Sequence, residues 1–172
     1  REAIRQQKTI VSIDPQAQRL LVLKQDKSVV PALQQMARSS TTLVGRFHAL
    51  WTLEGLGALD AGLVRAALAD ANPRMRIQAL RASESLYKAG DRTFEADYRT
   101  ALRDADTDVT IQAMLTLGMV KPADFADLVK NTQAAKTARG VRAIGDFLLA
   151  PAPVVAGAGA LTPLETKMIE EG

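Results

Sequence analysis

Leu68-Ala69-Asp70-Ala71-Asn72-Pro73-Arg74-Met75-Arg76-Ile77-Gln78-Ala79 lies over Leu102-Arg103-Asp104-Ala105-Asp106-Thr107-Asp108-Val109-Thr110-Ile111-Gln112-Ala113 at a constant offset of 34 residues. Leu, Asp, Ala, Ile, Gln and Ala recur unchanged, and Asn72 is replaced conservatively by Asp106. A self-similar period of roughly 30 to 47 residues marks a helical repeat array, in which each unit stacks on the next because it buries too little apolar area alone. In each copy an apolar helix ends, a polar turn carries Asp, and a second helix begins at a cap: Asn72 followed by Pro73, and Asp106 followed by Thr107.

A third stretch joins the series. Thr42 to Leu59 is apolar at helical spacing and holds the only Trp and the only His. Ala49-Leu50 falls under Ala79-Leu80, and Glu54 under Glu84, at an offset of 30. The stretch therefore reads as the second helix of an early repeat, with Phe47, Leu50, Trp51 and Leu53 to Leu56 inward and Gly55 and Gly57 stopping it.

Composition agrees with this architecture. The chain has 172 residues, 47% apolar and 24% charged, enough for one well-buried domain. Aromatic residues are only 4%, and Ala and Leu carry the apolar content, as in helix pairs whose backbones approach closely. The net charge of +3 comes from 22 basic against 19 acidic residues, a mixed surface that does not by itself imply nucleic acid. The absence of cysteine removes disulfides, thiolate metal sites and thiol nucleophiles. No apolar run approaches the roughly 18 residues of a membrane span. The chain opens Arg1-Glu2-Ala3-Ile4, without Met or a signal pattern, and is read here as a fragment or a processed chain.

The remaining elements follow in order. Residues 1–14 read as an N-terminal linker or frayed helix, ended by Asp14-Pro15 as cap and first helical residue. Residues 15–150 read as the repeat domain. Ala17, Leu20, Leu21 and Leu23 form the apolar face of a short helix ending near Lys24 to Asp26, and Val29, Val30, Leu33, Met36 and Ala37 form a second helix face. Leu63, Val64, Ala67 and Leu68 make the next, then Phe94, Tyr98 and Leu102 with Ile111, Met114, Leu115 and Leu117. Lys121-Pro122 is read as starting a helix with Phe125, Leu128 and Val129 inward, partnered by Val141, Ile144, Phe147 and Leu148. Residues 151–172 read as an uncharged Ala/Pro/Val/Gly linker followed by a capping box, Thr162-Pro163-Leu164-Glu165, that starts a last short helix. The expected fold is all-α, a solenoid of about four stacked helical pairs.

Helical pairs joined by an Asp-bearing turn resemble HEAT repeats. Arg46-Phe-His48-Ala-Leu-Trp51-Thr-Leu-Glu54-Gly-Leu-Gly57-Ala-Leu59 resembles, more narrowly, a segment in the HEAT-repeat region of large secreted bacterial proteins. These place a propeller similar to quinone-dependent sugar dehydrogenases before the repeats and a c-type cytochrome domain after them. The resemblance runs over residues 15 to 172 and is strongest at 46 to 59 and 68 to 86. It implies a non-catalytic scaffold and interaction module that links the two redox domains, in the periplasm or outside the cell, with the cytoplasm left open. Leu161 to Gly172 resembles the lead-in to a Cys-x-x-Cys-His haem motif, but the segment itself carries no cysteine. The reading thus assigns it no cofactor, metal site or catalytic residue. Its partners are protein domains, within the same chain or separate. The alternatives are a stand-alone HEAT-repeat binding protein and an enzyme resembling the phycobilin-lyase HEAT group, for which no residue beyond the repeat argues.

Arg46, His48, Trp51 and Glu54 are the residues singled out as an interaction or structural hot spot. His48 and Trp51 share a helix face and could line a site. A lone His without an acidic or metal-ligand neighbour reads as a hydrogen-bonded structural group, and Trp51, among leucines of the same period, reads as core. Glu54 reads as a cap or as the partner of Arg46 or Arg81. A nucleic-acid ridge would need Arg46 and Arg76 to recur, and the next equivalent position is Thr110, so that ladder is broken.

Overall fold

The computed structural model describes residues 15–151. Among them are nine α-helices and no strand. We number the helices α1 (Pro15–Lys24), α2 (Val30–Ser39), α3 (Leu43–Gly55), α4 (Ala61–Leu68), α5 (Pro73–Lys88), α6 (Phe94–Ala101), α7 (Thr107–Val120), α8 (Phe125–Ala135) and α9 (Arg139–Leu149), with a 3-10 turn Lys27–Val29 before α2.

Their starts are written in side-chain chemistry. The Thr42 hydroxyl accepts from the Gly45 amide, Asp60 from Leu63, Asn72 from Arg74, and Asp106 from Asp108 and Val109. Each satisfies an amide that has no partner inside its helix. Two ends of the repeat helices close in the same way. Gly57 takes φ +60 after α3, where its amide bonds Glu54 O and the Ala58 amide bonds Leu53 O. Gly90 takes φ +116 after α5, with Gly90 to Tyr87 O and Asp91 to Leu86 O. These paired bonds are the Schellman closure, which needs a left-handed residue. Gly55 has a different role from the one its sequence position suggests. It lies within α3, and a Cβ there would sit 2.8 Å from a Val22 methyl, so its small size lets α1 approach.

Helices adjacent in sequence pack as pairs: α2 on α3, α4 on α5, α6 on α7 and α8 on α9. The second helix of each pair also touches the second helix of the next, in the series α3, α5, α7, α9, and α1 packs on α3. The core threads between them. Leu33, Leu50, Leu53, Leu63, Val64, Met75, Leu80, Phe94, Tyr98, Met114 and Val141 are all buried. Phe94 stacks on Tyr98 with centroids 6.3 Å apart, and the Tyr98 and Ser83 hydroxyls lie 3.0 Å apart inside the core. Burial pushes the Tyr98 phenol up to about 12.

Several apolar-face assignments and one helix start are corrected, Leu20 and Leu23 on α1 among them, 55% and 68% exposed. Phe147 is 71% exposed and Leu115 is 36% exposed, because each lies on the outer edge of its helix while Val141 and Gly145, or Met114 and Leu117, face the core. Lys121-Pro122 does not start α8. Lys121 ends α7 in the left-handed region, its amide bonding Leu117 O, and Pro122 accepts from Phe125 in the turn before α8. The readings at Asp14, beyond Pro151 and at Thr162-Pro163-Leu164-Glu165 lie outside the described residues.

Candidate interaction surface

The repeated turn builds a row of guanidinium–carboxylate bonds between consecutive pairs. Arg46 stands four residues after the cap Thr42, and Arg76 four after the cap Asn72. Asp70 and Asp104 stand two residues before the caps Asn72 and Asp106. Arg46 binds Asp70, one pair onward, and donates from Nε to Ala37 O at 3.0 Å. Arg76 binds Asp104 through two bonds of 2.8 and 2.7 Å, and donates from Nη1 to Asp70 O at 2.8 Å. All four side chains are less than a fifth exposed. Partial burial pushes the Asp70 and Asp104 carboxyls up, but the hydrogen bonds from Arg46 and Arg76, and the amides of Asn72 and Asp106, outweigh it. Both carboxyls are held below the ordinary carboxylate range.

Thr110, as its position in the repeat predicts, ends that row. Its hydroxyl turns back to its own turn, to Asp106 O at 3.2 Å and Asp104 O at 3.4 Å, and the ammonium of Lys136 also binds Asp104 O. The broken ladder thus has a physical reading: the arginines are interior struts and not an exposed basic ridge.

A second row was not read from the sequence, although its signal was present. Arg65 and Arg99 are also 34 apart. Arg65, on α4, reaches Asp97 on α6 at 3.2 Å and the Thr93 hydroxyl at 2.5 Å. Arg99, on α6, binds Asp124, just before α8, through two bonds of 2.7 Å, and also Glu95. Those bonds push the Arg99 guanidinium further up, and the Arg99 bond holds Asp124 down. Two arginines at the repeat offset, each with a carboxylate about 30 residues downstream, were the available clue.

The four singled-out residues share α3 and point to different neighbours. Arg46 is committed to Asp70. His48 Nδ1 lies 2.7 Å from Gln18 Oε1 on α1, a hydrogen bond that ties the first helix to α3. Trp51 is half-buried and packs against the edge of the core. Its indole N–H donates to Gln78 Oε1 on α5 at 2.8 Å, and the Arg81 guanidinium lies 5.7 Å from its ring centroid. Glu54 makes no ion pair among the described residues, and Arg46, one of its two expected partners, is committed to Asp70. Its counterpart Glu84 accepts from the Thr116 hydroxyl of α7 at 2.8 Å. Arg46, His48 and Trp51 are links between neighbours, and the four residues do not converge on a reacting centre.

A half-open cleft of about 440 Å³ lies between α4, α5, α6 and α7. Leu68, Leu80 and Val109 contribute apolar wall, and Arg65, Asp97, Arg76 and Asp104 the polar wall. Both carboxylates face guanidinium groups, and the Asp104 carboxyl stays ionised, which suits an ion pair and not a proton shuttle. Among the described residues no group of His, Cys, Asp and Glu could hold a metal ion, and no helix is long and apolar enough to cross a membrane. No family model, curated protein or solved structure matches the chain.

Proposed function

We propose that residues 15–150 form a HEAT-like solenoid of about four stacked helical pairs and act as a non-catalytic scaffold and interaction module. The observation that carries this reading is the recurrence of inter-pair bonds at equivalent places around the helix caps: Arg46 to Asp70 and Arg76 to Asp104, with Arg65 to Asp97 and Arg99 to Asp124 beside them. Bonds that join each unit only to its neighbours are what a quasi-one-dimensional array requires. Deleting residues 121–172 should leave a folded, less stable remainder with helical circular dichroism. Loss of all cooperative structure would refute the array.

The place of the module is a further part of the proposal, and it rests on the likeness of residues 46–59 alone. We place it in a larger periplasmic redox protein, between a sugar-dehydrogenase-like propeller and a c-type cytochrome domain, which it spaces for electron transfer. On this reading the 172 residues, expressed alone, bind no haem and oxidise no sugar with a quinone acceptor; clear activity would overturn it. A second reading is a stand-alone repeat protein for a protein partner. The gene downstream of Gly172 separates the two. A Cys-x-x-Cys-His motif there supports the linker, and a stop codon supports the stand-alone protein.

A further inference from the structure

Arg74, Arg81 and Lys88 are spaced by seven residues along α5, and all three are exposed. Seven residues are close to two turns, so the three cations fall on one stripe at intervals of about 10.5 Å. None of them makes an ion pair among the described residues, whereas Arg46, Arg65, Arg76 and Arg99 each hold a carboxylate. The stripe is bordered on both sides by apolar surface. On α3, Trp51 lies under the Arg81 guanidinium, and on α7, Leu115 and Met119 are 36% and 37% exposed. Trp51, Arg81 and Leu115 occupy the same position after their caps, on three helices packed in series.

We propose that this stripe docks an acidic amphipathic helix of a partner protein domain, lying along α5. The inference rests on the scaffold reading and names the partner's chemistry. Carboxylates once per heptad match the three cations in sign and spacing, and apolar residues flanking them meet Trp51 and the Leu115–Met119 edge. A Trp and an Arg in contact, beside Met and Leu, is the composition of a binding hot spot. A nucleic-acid backbone fits less well. Asp108 replaces Arg74 and Leu115 replaces Arg81 in the next repeat, so no basic track continues from helix to helix.

The probe is a synthetic helical peptide of about 18 residues carrying Glu once per heptad and Leu on the same face, with a second peptide in which Lys replaces Glu. Trp51 is the only Trp, so its fluorescence reports occupancy in the full chain. The Glu peptide should bind saturably and shift that emission. R81E and the double variant R74E/K88E should each weaken it about tenfold or more, and R103E, an exposed cation off the stripe, should leave it unchanged. Circular dichroism melts show that the variants are folded, and the double variant stands if R81E is not. Failure of the Glu peptide to bind, equal binding of the Lys peptide, or insensitivity to both reversals overturns the proposal. Duplex DNA bound at low salt with the same sensitivity would assign the stripe to phosphates and overturn it as well. None of these outcomes alters the deletion test of the scaffold itself.

Discussion

Asp104→Asn tests whether the turn row holds consecutive pairs together. Asp104 receives two bonds from Arg76, at 2.8 and 2.7 Å, and one from the Asp106 amide at 2.8 Å, with the ion-paired side chains only 16% and 15% exposed. Asparagine keeps one carbonyl oxygen for these donors, loses the charge and turns an NH2 group toward the guanidinium. A hydrogen bond to a charged group contributes about 1.5–3 kcal/mol, and leaving a partly buried cation without its anion adds to that, so a cost of about 2–3 kcal/mol is expected. Asp97→Asn is the internal control. The Arg65–Asp97 pair has a single contact at 3.2 Å between side chains 40% and 31% exposed, where an ion pair contributes under about 1 kcal/mol. Urea unfolding followed by circular dichroism should therefore separate the two variants clearly. For a chain of this length the melting temperature should fall by about 4–12 °C for Asp104→Asn and by less than about 4 °C for Asp97→Asn. Equal costs, or a cost below about 1 kcal/mol at Asp104, would refute the assignment of the turn row as the principal clamp.

Further outcomes follow from groups already described. The Asp70 and Asp104 carboxyls have folded pKa values below their unfolded ones, so the folded state binds fewer protons. Their contribution is present above the unfolded carboxylate value of about 4 and is lost as pH falls below it, and Asp104→Asn should flatten the acid limb of a stability–pH curve. Tyr98 has the opposite sign. Its pKa, raised to about 12, makes its contribution complete below about pH 10 and lost as pH rises toward 12; Tyr98→Phe should remove the late phenolate step from an absorbance titration. Lys121 holds φ 50 at the end of α7, so Lys121→Gly should stabilise the chain by about 0.5–1 kcal/mol in the same urea assay. No gain would show that the lysine side chain contributes there.

The helices were legible because three independent signals coincide at their starts and faces. Asn72-Pro73 and Asp106-Thr107 announced two caps, the 3.6-residue period marked the buried faces, and the offset of 34 put equivalent turns in register. Position within the repeat also foretold that Thr110 would break the arginine row. What periodicity could not resolve was the difference between a residue on the core side of a stripe and one at its edge. Trp51, Leu115 and Phe147 share the apolar period of their helices, yet a rotation of a fraction of a turn leaves them half-buried or exposed. Pairing was harder still, since Glu54 had two nearby arginines by sequence logic and pairs with neither, Arg46 being bound to Asp70. The link from Gln18 to His48 joins an early helix to α3 across 30 residues, and no local pattern encodes a contact of that kind.

Thr110 has a mechanical consequence. Where α3 meets α5 and α5 meets α7, the turns are clasped by Arg46–Asp70 and Arg76–Asp104, whereas the last pair is joined at its turn by one lysine-to-carbonyl bond and otherwise by apolar packing and the exposed Arg99–Asp124 contact. Apolar contacts and ion pairs open to water yield progressively when surfaces slide, while an ion pair shielded from water resists until it breaks; the Arg99–Asp124 pair, though bidentate, has side chains 34% and 49% exposed. A chain extended from its two ends should therefore surrender α8 and α9 first, with a step of about 100 Å of released backbone, and Thr110→Arg should raise the force of that step only if it finds a carboxylate. With Lys136 where a third turn aspartate would stand, it finds none, so the double change Thr110→Arg with Lys136→Asp is what should move the weakest seam elsewhere in the array.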